Sequence, residues 1–293
     1  MFENLKIIKL ENRALLKIKG YDNREFLQSI VTNNINLISN GKSIYSALLS
    51  PQGKFLYDFF IFQDNKNNYL TIDCEKKSYQ ELIQKLNIYK LRSKVGISVQ
   101  DQIDVYTIYG ADLHKLTSNL KIKNQEGCTK YISNNLFFID PRNKNLGIRI
   151  YTNNLLEEFN KIHTGLLLEW HYLRIKNKIP YPYEDLEKEK SFIIENNFEE
   201  INAIDFNKGC YIGQENTARQ KYRGTAKRKL VVANVIGKNL ENGEKVLIDN
   251  RAVGTIKSSS KEICLVNIRS EVYENCKKNN TRIKVKESEL IFI

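Results

Sequence analysis

The sequence predicts an α+β fold of many antiparallel strands with a small β-barrel at its C-terminal end. Three observations point there. Short runs of apolar and polar residues alternate between turn residues, as half-buried strands require. A few stretches carry instead the roughly 3.6-residue spacing of amphipathic helices. After about residue 226 the texture changes to short strands with Gly turns (LVVANVIG, EKVLIDN, AVGTIKSSS, EICLVNI, RIKVKES), the pattern of a small barrel or sandwich. A regular βαβ series, GxGxxG and GxxxxGK are all missing from the sequence, which argues against a dinucleotide-binding doubly wound sheet or a P-loop.

Taken in order, residues 5–19 read as two strands around a turn at Glu11-Asn12. Asp22 is positioned to cap a helix carrying Phe26, Leu27 and Ile30, with Glu25 completing a capping box. Residues 44–49 and 55–62 form paired strands joined through Ser50-Pro51-Gln52-Gly53, a strong turn signal. A strand at 69–73 precedes an amphipathic helix over 78–89, whose Leu82, Ile83, Leu86 and Tyr89 share one face. LRSKVGISVQ and QIDVYTIYG resume strands, and Leu113–Leu120 is helical. YISNNLFFID and LGIRIY are strands separated by a turn at Asp140-Pro141-Arg142. Residues 155–177 form the longest helical stretch, interrupted near Gly165 and ended by Pro180 and Pro182. Trp170 and His171 on it read as packing residues. An acidic patch follows (Glu184, Asp185, Glu187, Glu189), and a domain boundary is expected near 224–228.

The 293 residues, 41% hydrophobic and 27% charged, suffice for a full buried core. With 14 Gly, 4 Pro and no repeating period, collagen-like and low-complexity chains are excluded. No apolar run approaches about 18 residues, so no membrane-spanning helix and no membrane partner are expected. The N-terminus lacks a signal peptide's apolar block, and Glu3 and Glu11 speak against a mitochondrial presequence, so the expectation is a cytoplasmic protein. A net charge of 46 − 34 = +12 invites polyanions. Equally, the Lys, Asn and Ile richness matches AT-rich codon drift on a solvated surface. Cys74, Cys128, Cys210, Cys264 and Cys276 form no CxxC pair and the three histidines no metal-ligand spacing, so no metal site is assigned.

Chemistry concentrates in Asp205–Arg228, DFNKGCYIGQENTARQKYRGTAKR. Lys208-Gly209-Cys210 sets a thiol beside a cation on a Gly turn, just before a short helix opening at Gly213-Gln214-Glu215. A helix N-terminus and a nearby Lys favour thiolate, which suits a nucleophile, a redox thiol or a transient ligand for a soft metal or cluster. A small apolar residue packed beside a turn is the equal alternative. Downstream, Arg219, Lys221, Arg223, Lys227, Arg228 and Lys229 are six cations in eleven residues, interleaved with Tyr222. They read as a grip for an anionic tail or as a solvated basic face. The several strand-spaced aromatics of a general nucleic-acid platform are not there.

Lys208-Gly209-Cys210-Tyr211-Ile212-Gly213-Gln214-Glu215 matches the KGC-[FY]-x-GQE signature of the YgfZ family, folate-binding proteins that resemble the T-protein (aminomethyltransferase) of the glycine cleavage system. The resemblance extends along the chain through REFLQSIVTNNI, SPQGKFLYDFFIF, LNIYKLRSKVGIS, DPRNKNLGIR and HYLRIKNKIP. It implies a T-protein (GcvT)-like fold: interleaved α/β subdomains over residues 1–225 that bind folate, then a C-terminal β-barrel domain over 226–293. It further implies a role in maturing or repairing iron–sulfur enzymes, assisted by tetrahydrofolate or a derivative and linked indirectly to tRNA modification. Expected partners are folate and iron–sulfur client enzymes or assembly proteins, with direct tRNA contact a lesser expectation.

With this resemblance, Cys210 and Lys208 are the candidate catalytic residues. Asp58, Tyr57, Arg142, Arg174, Tyr211, Gln214, Glu215 and Arg223 are the candidate folate-binding residues. Where T-proteins resemble DFIG-x-E, this chain has Cys210; where they carry Asp-Asp in the hairpin, it has Tyr57-Asp58. The remaining Asp58 reads as a carboxylate for a folate nitrogen or as a solvent-facing edge-strand residue. Arg142 and Arg174 read as carboxylate clamps or as structural ion-pair partners. Lys176 stands where an acid could meet a pterin. A folate-dependent aminomethyl or one-carbon transferase is the alternative activity, and the exchange of acids for Tyr57 and Cys210 speaks against it.

Overall fold

The N-terminal alternating run makes two strands, β1 (Leu5–Lys9) and β2 (Arg13–Lys19), that flank the turn yet join different sheets. The structure is a computed structural model that describes residues 4–64 and 69–293; Glu3 lies outside them. After β2 come α1 (Asn23–Ile30), β3 (Ile44–Leu49), β4 (Phe55–Gln63), β5 (Leu70–Glu75), α2 (Tyr79–Lys90) and β6 (Gly96–Gln100). Then follow β7 (Asp104–Gly110), α3 (Leu113–Asn119), β8 (Thr129–Ile132), β9 (Asn135–Ile139), β10 (Ile148–Thr152) and β11 (His163–Thr164). The remainder holds α4 (Leu167–Lys176), α5 (Pro182–Asp185), α6 (Gln214–Tyr222), β12 (Arg228–Ile236), β13 (Lys245–Ile248), β14 (Arg251–Ser260), β15 (Ile263–Arg269), α7 (Ser270–Asn279), β16 (Ile283–Val285) and β17 (Ser288–Phe292). Two compact units divide it: Met1–Leu49 with Leu56–Leu167 and Ile201–Ile212, and Ser50–Phe55 with Leu168–Glu200 and Gly213–Ile293.

The first unit holds two sheets, β3-β4-β5-β2-β6 and β11-β1-β7-β10-β9-β8. Strands β3, β4 and β5 are buried almost throughout because both their faces are covered. On one face Leu16, Leu48, Phe59, Ile61 and Ile72 pack with Phe26 and Leu27 of α1 and with Leu82 and Leu86 of α2. On the other, Phe60 and Phe62 meet Phe138 and Tyr151 of the second sheet.

In the second unit, β13-β14-β15-β12-β17-β16 form one antiparallel sheet, and its end strands β13 and β16 come together, so that it curls nearly closed. Its core is aliphatic, with Val231, Val246, Ile256, Val266, Ile268 and Leu290. Among the described residues, no helix is long and apolar enough to cross a membrane.

Four local expectations are corrected. Asp22 precedes α1 without capping it; its carboxylate instead accepts the Lys94 amide N–H at 2.6 Å. Residues 155–177 are not one helical stretch: a short 3-10 helix spans Glu157–Lys161 and the α-helix is confined to α4. Ahead of it, β11 pairs in parallel with β1, and Gly165 lies where a Cβ would come within 2.2 Å of the Tyr109 hydroxyl. YISNNLFFID folds back as a hairpin, with Ser133 and Asn134 both at positive φ. After 226 the chain is not wholly strand: α7 intervenes and seats Tyr273 and Cys276 in the barrel core.

Candidate functional site

The segment around Cys210 is held from both sides. Before it, Lys208 is buried, and its ammonium donates to the carbonyls of Gln28, Val31 and Asn33 at 2.7, 2.6 and 3.0 Å. These acceptors sit at and just beyond the C-terminal end of α1, where helix carbonyls lack intrahelical partners. Burial pulls the Lys208 ammonium down to about 8, yet three donors meet three acceptors. After the thiol, Tyr211 is buried with its ring 5.1 Å from that ammonium, and Ile212 packs against the first unit's core. Asp205 adds a strap, its N–H donating to the Thr32 carbonyl at 3.1 Å.

Cys210 is a free, exposed thiol. Cys74 and Cys264 are buried, and burial pushes both thiols up to about 12. Cys276 is also buried and Cys128 half-buried. The expectation that Lys208 stands as a counter-cation to the thiol is corrected in its physics. All three N–H groups of the ammonium are taken by carbonyls, so its charge anchors the loop to α1.

The signature octapeptide continues into the second unit. Gly213 takes φ 82 as the N-cap of α6, a left-handed conformation that suits glycine. Gly53, at φ 74, comes so close to this turn that a Cβ would meet the Gly213 carbonyl and the Asn216 Cβ at 2.9 Å each. Asn216 donates to the Gln52 carbonyl at 2.8 Å. The SPQGK turn and the GQE motif therefore form one built corner. Gln214 opens α6, Glu215 is exposed and pairs with Arg219 at 2.7 Å, and Arg223 is an exposed C-cap. The basic run is partly paired: Lys221 with Glu199, and Lys229 with Glu274 at 2.5 Å.

Asp58 does not sit on an edge, since β4 lies between β3 and β5. Its carboxyl is half-buried and accepts the Tyr45 hydroxyl at 2.8 Å. Burial raises it above the usual carboxylate range, against the opposing pull of Arg13, Tyr45 and Arg142. Arg142 lies 5.4 Å from the Tyr45 ring centroid and 4.9 Å from that of Phe60, and holds Asp140 through two bonds of 3.0 and 2.7 Å. Burial disfavours the Asp140 charge, but Arg142 and Arg149 outweigh it and hold the carboxyl low. Thus Asp58 and Arg142 share one cluster. Tyr57 points to the other face of β4, into the α1–α2 core, and its hydroxyl donates to Glu81 at 3.3 Å.

Arg174 is buried in the second unit. It donates to Asp185 at 3.2 Å, to the Ser258 hydroxyl at 2.6 Å, to the Ile179 carbonyl at 3.2 Å and to His171 Nδ1 at 2.9 Å. Asp185 also accepts from Ser258 and from the Tyr181 N–H. The acidic patch is thereby corrected: Asp185 is a fully buried partner, while Glu184, Glu187 and Glu189 are exposed. Trp170 is buried, and burial with Arg174 pushes the half-buried His171 down to about 4.

Sequence reasoning missed most of the charged layer between the two sheets of the first unit. Asp73, fully buried, accepts from Arg13 at 2.7 Å, Arg149 at 3.3 Å and the Tyr151 hydroxyl at 2.5 Å. Arg149 also reaches Asp140 at 3.2 Å and lies 3.9 Å from the Phe60 ring centroid. A charge inside an otherwise apolar strand, as in YLTID and LGIRIY, was the available signal.

Comparison with known proteins follows this geometry. No family model matches the chain. Over 235 residues it is 28% identical to the mitochondrial iron–sulfur cluster assembly factor IBA57 homolog of Neurospora crassa, covering 77% of this chain and 52% of that protein. It is 26% identical to mouse mitochondrial IBA57 over 97% of this chain and 82% of the relative. Against the human protein it is 25% identical, over 76% and 64%. The chain thus spans about half the length of the Neurospora relative. In structure it matches the glycine cleavage system aminomethyltransferase T of Bartonella henselae with a TM-score of 0.79. That match has 11% identity and covers 99% of this chain and 85% of the other. The fold is therefore GcvT-like. The expectation of a cytoplasmic protein is overturned, because these relatives are mitochondrial proteins.

Proposed function

We propose that this chain is a YgfZ-type, folate-binding accessory protein for the maturation or repair of iron–sulfur enzymes, acting in mitochondria through Cys210. One observation carries the reading: the thiol of the KGCYIGQE motif is exposed on a loop fixed by Lys208, Tyr211 and Ile212. The names of the three relatives given above, each an iron–sulfur cluster assembly factor, favour the same reading. A rigid, accessible thiol suits thiol exchange or temporary ligation of a cluster that is cargo. Because one thiol supplies a single ligand, remaining ligands would come from the client or an assembly partner.

For folate, the donor set in the first unit fits. Asp58 is a partly open carboxyl whose raised protonation range suits hydrogen bonding to a pterin nitrogen, and Tyr45 orients it. Arg142 holds that wall through Asp140 and Tyr45. Bound tetrahydrofolate would supply a one-carbon carrier. Tyr211, Gln214, Glu215 and Arg223 are assigned to the folate surround through the family resemblance alone, as is the division into a folate-binding region, 1–225, and a barrel domain, 226–293. Tyr57 and Arg174 drop out of it, because Tyr57 faces the α1–α2 core and the Arg174 donors are taken by Asp185, Ser258, Ile179 and His171. Support of tRNA modification is indirect, through the iron–sulfur enzymes that perform it.

The test is restoration of a [4Fe–4S] enzyme in cells lacking this protein. The parent chain is expected to restore activity, whereas Cys210→Ala, folded and equally abundant, is not; full restoration by Cys210→Ala overturns the reading. Titration of the purified chain with tetrahydrofolate tests the cofactor separately. Saturable binding weakened by Asp58→Asn supports it, and binding unchanged by that substitution removes Asp58 from the site.

A further inference from the structure

Two neighbouring loop tips of the first unit carry apolar side chains in open solvent. Tyr21 is 94% exposed and Leu91 86%, with Ile88 63% exposed near the end of α2. Leu82 and Leu86 are buried in the core, so Ile88 lies on the outward side of that helix. The tips adjoin. Asp22 accepts the Lys94 N–H at 2.6 Å, and a Cβ at Gly20 would meet the Lys94 carbonyl at 1.9 Å. Tyr21 sits between these two contacts, and Leu91 opens the turn that ends at Lys94, whose Ser93 N–H donates back to the Lys90 carbonyl.

The ground around these residues is cationic. Residues 19–22 and 85–94 contain Lys19, Lys85, Lys90, Arg92 and Lys94 against the single acid Asp22, which the Lys94 amide engages. Among the described residues, none of Lys19, Lys90, Arg92 and Lys94 has an acidic partner within ion-pair distance. Scattered exposed leucines are ordinary, and cations suit a helix C-terminus. Neither accounts for Tyr and Leu on two touching tips, with Ile close by, in segments whose cations Lys19, Lys90, Arg92 and Lys94 have no acidic partner among the described residues.

We propose that this tip docks on an anionic phospholipid surface, with Tyr21, Leu91 and Ile88 entering the headgroup layer and the surrounding cations meeting lipid phosphates and carboxylates. Charge complementarity selects a polyanion, and aliphatic side chains select the lipid interface over RNA, which would reward stacking rings instead. Surface docking needs no spanning helix.

The experiment is co-sedimentation of the full chain with vesicles of phosphatidylcholine containing roughly 30% phosphatidylserine, against pure phosphatidylcholine, at about 0.1 M salt. Binding to the anionic vesicles alone is expected. Because a net charge of +12 attracts any anionic surface, the deciding variant keeps the charge: Tyr21→Ser with Leu91→Ser should weaken binding about tenfold. Arg92→Glu with Lys94→Glu should weaken it at least as much, by about tenfold or more. A Tyr21→Trp variant should be quenched by brominated phosphatidylcholine in the same vesicles, beyond any quenching of Trp170 in the parent. All these sites are exposed, so unchanged circular dichroism is expected, and Cys210→Ala should bind as the parent does. Absence of binding, equal binding by the Tyr21→Ser/Leu91→Ser chain, or an introduced indole beyond reach of the bromines would overturn the proposal. So would binding of tRNA, but not vesicles, through the same residues.

Discussion

The layer between the two sheets of the first unit and the core of the C-terminal sheet are both buried, yet built from opposite materials. The C-terminal core is Val, Ile and Leu with Cys264, Tyr273 and Cys276, an interior whose stability follows from removing apolar area from water. The inter-sheet layer instead holds Arg13, Asp73, Arg142, Asp140 and Arg149 in contact with Phe60, Tyr45 and Tyr151. Burying charge costs solvation that pairing only partly offsets. A fold seeking stability alone could have used hydrocarbon there, and the polar layer around Asp58 is the part of the first unit to which the proposed folate role is assigned.

The largest effect that would sharpen this contrast is Asp73→Ala. It leaves the buried guanidinium groups of Arg13 and Arg149 short of a partner and should cost about 3–5 kcal/mol by denaturant unfolding. In the apolar core, Val266→Ala should cost roughly 1–3 kcal/mol. The contrast breaks if the two losses are equal, or if Asp73→Ala is silent.

Next comes Lys208→Met, which strips the carbonyls of Gln28, Val31 and Asn33 of their donor. About 2–4 kcal/mol should be lost in thermal or urea melts, together with slower restoration of iron–sulfur enzymes as the loop loosens. An unchanged melt would show that the ammonium does not anchor the loop.

His171 gives a smaller, pH-dependent effect in the second unit. Its range is pushed below the unfolded value of 6.5 to about 4, so between these values the unfolded chain binds the extra proton. The neutral form's contribution is present above about pH 6.5 and is lost as pH falls toward 4, by about 2 kcal/mol once solvent screening of the half-buried ring is allowed for. His171→Asn should flatten this part of the stability profile; an unaltered slope would place the titration elsewhere.

Smallest of all on stability is Cys210→Ser. The side chain is exposed and free, so its melt should stay within about 0.5 kcal/mol of the parent. A larger loss would mean that the thiol is packed.

The strands, the hairpin at Ser50–Gly53 and the KGCYIGQE loop were legible because their signals are local: alternation, turn residues and a contiguous motif. Lys208 was legible as a residue but not in its role, since its acceptors lie about 180 positions away in sequence. The charged layer was opaque for the same reason, Arg149 meeting Asp73 across 76 positions. The N-terminal composition misled on location, where similarity to mitochondrial proteins corrected it.

The exposed thiol itself is tested most directly by alkylating the native, purified chain with one equivalent of iodoacetamide, mapping the modified cysteine and assaying the product for support of iron–sulfur enzyme activation in a depleted extract. Modification confined to Cys210, with an unchanged melt and lost support, is the expected result. Full support from a chain alkylated at Cys210, or preferential modification of Cys74, Cys264 or Cys276, would contradict it.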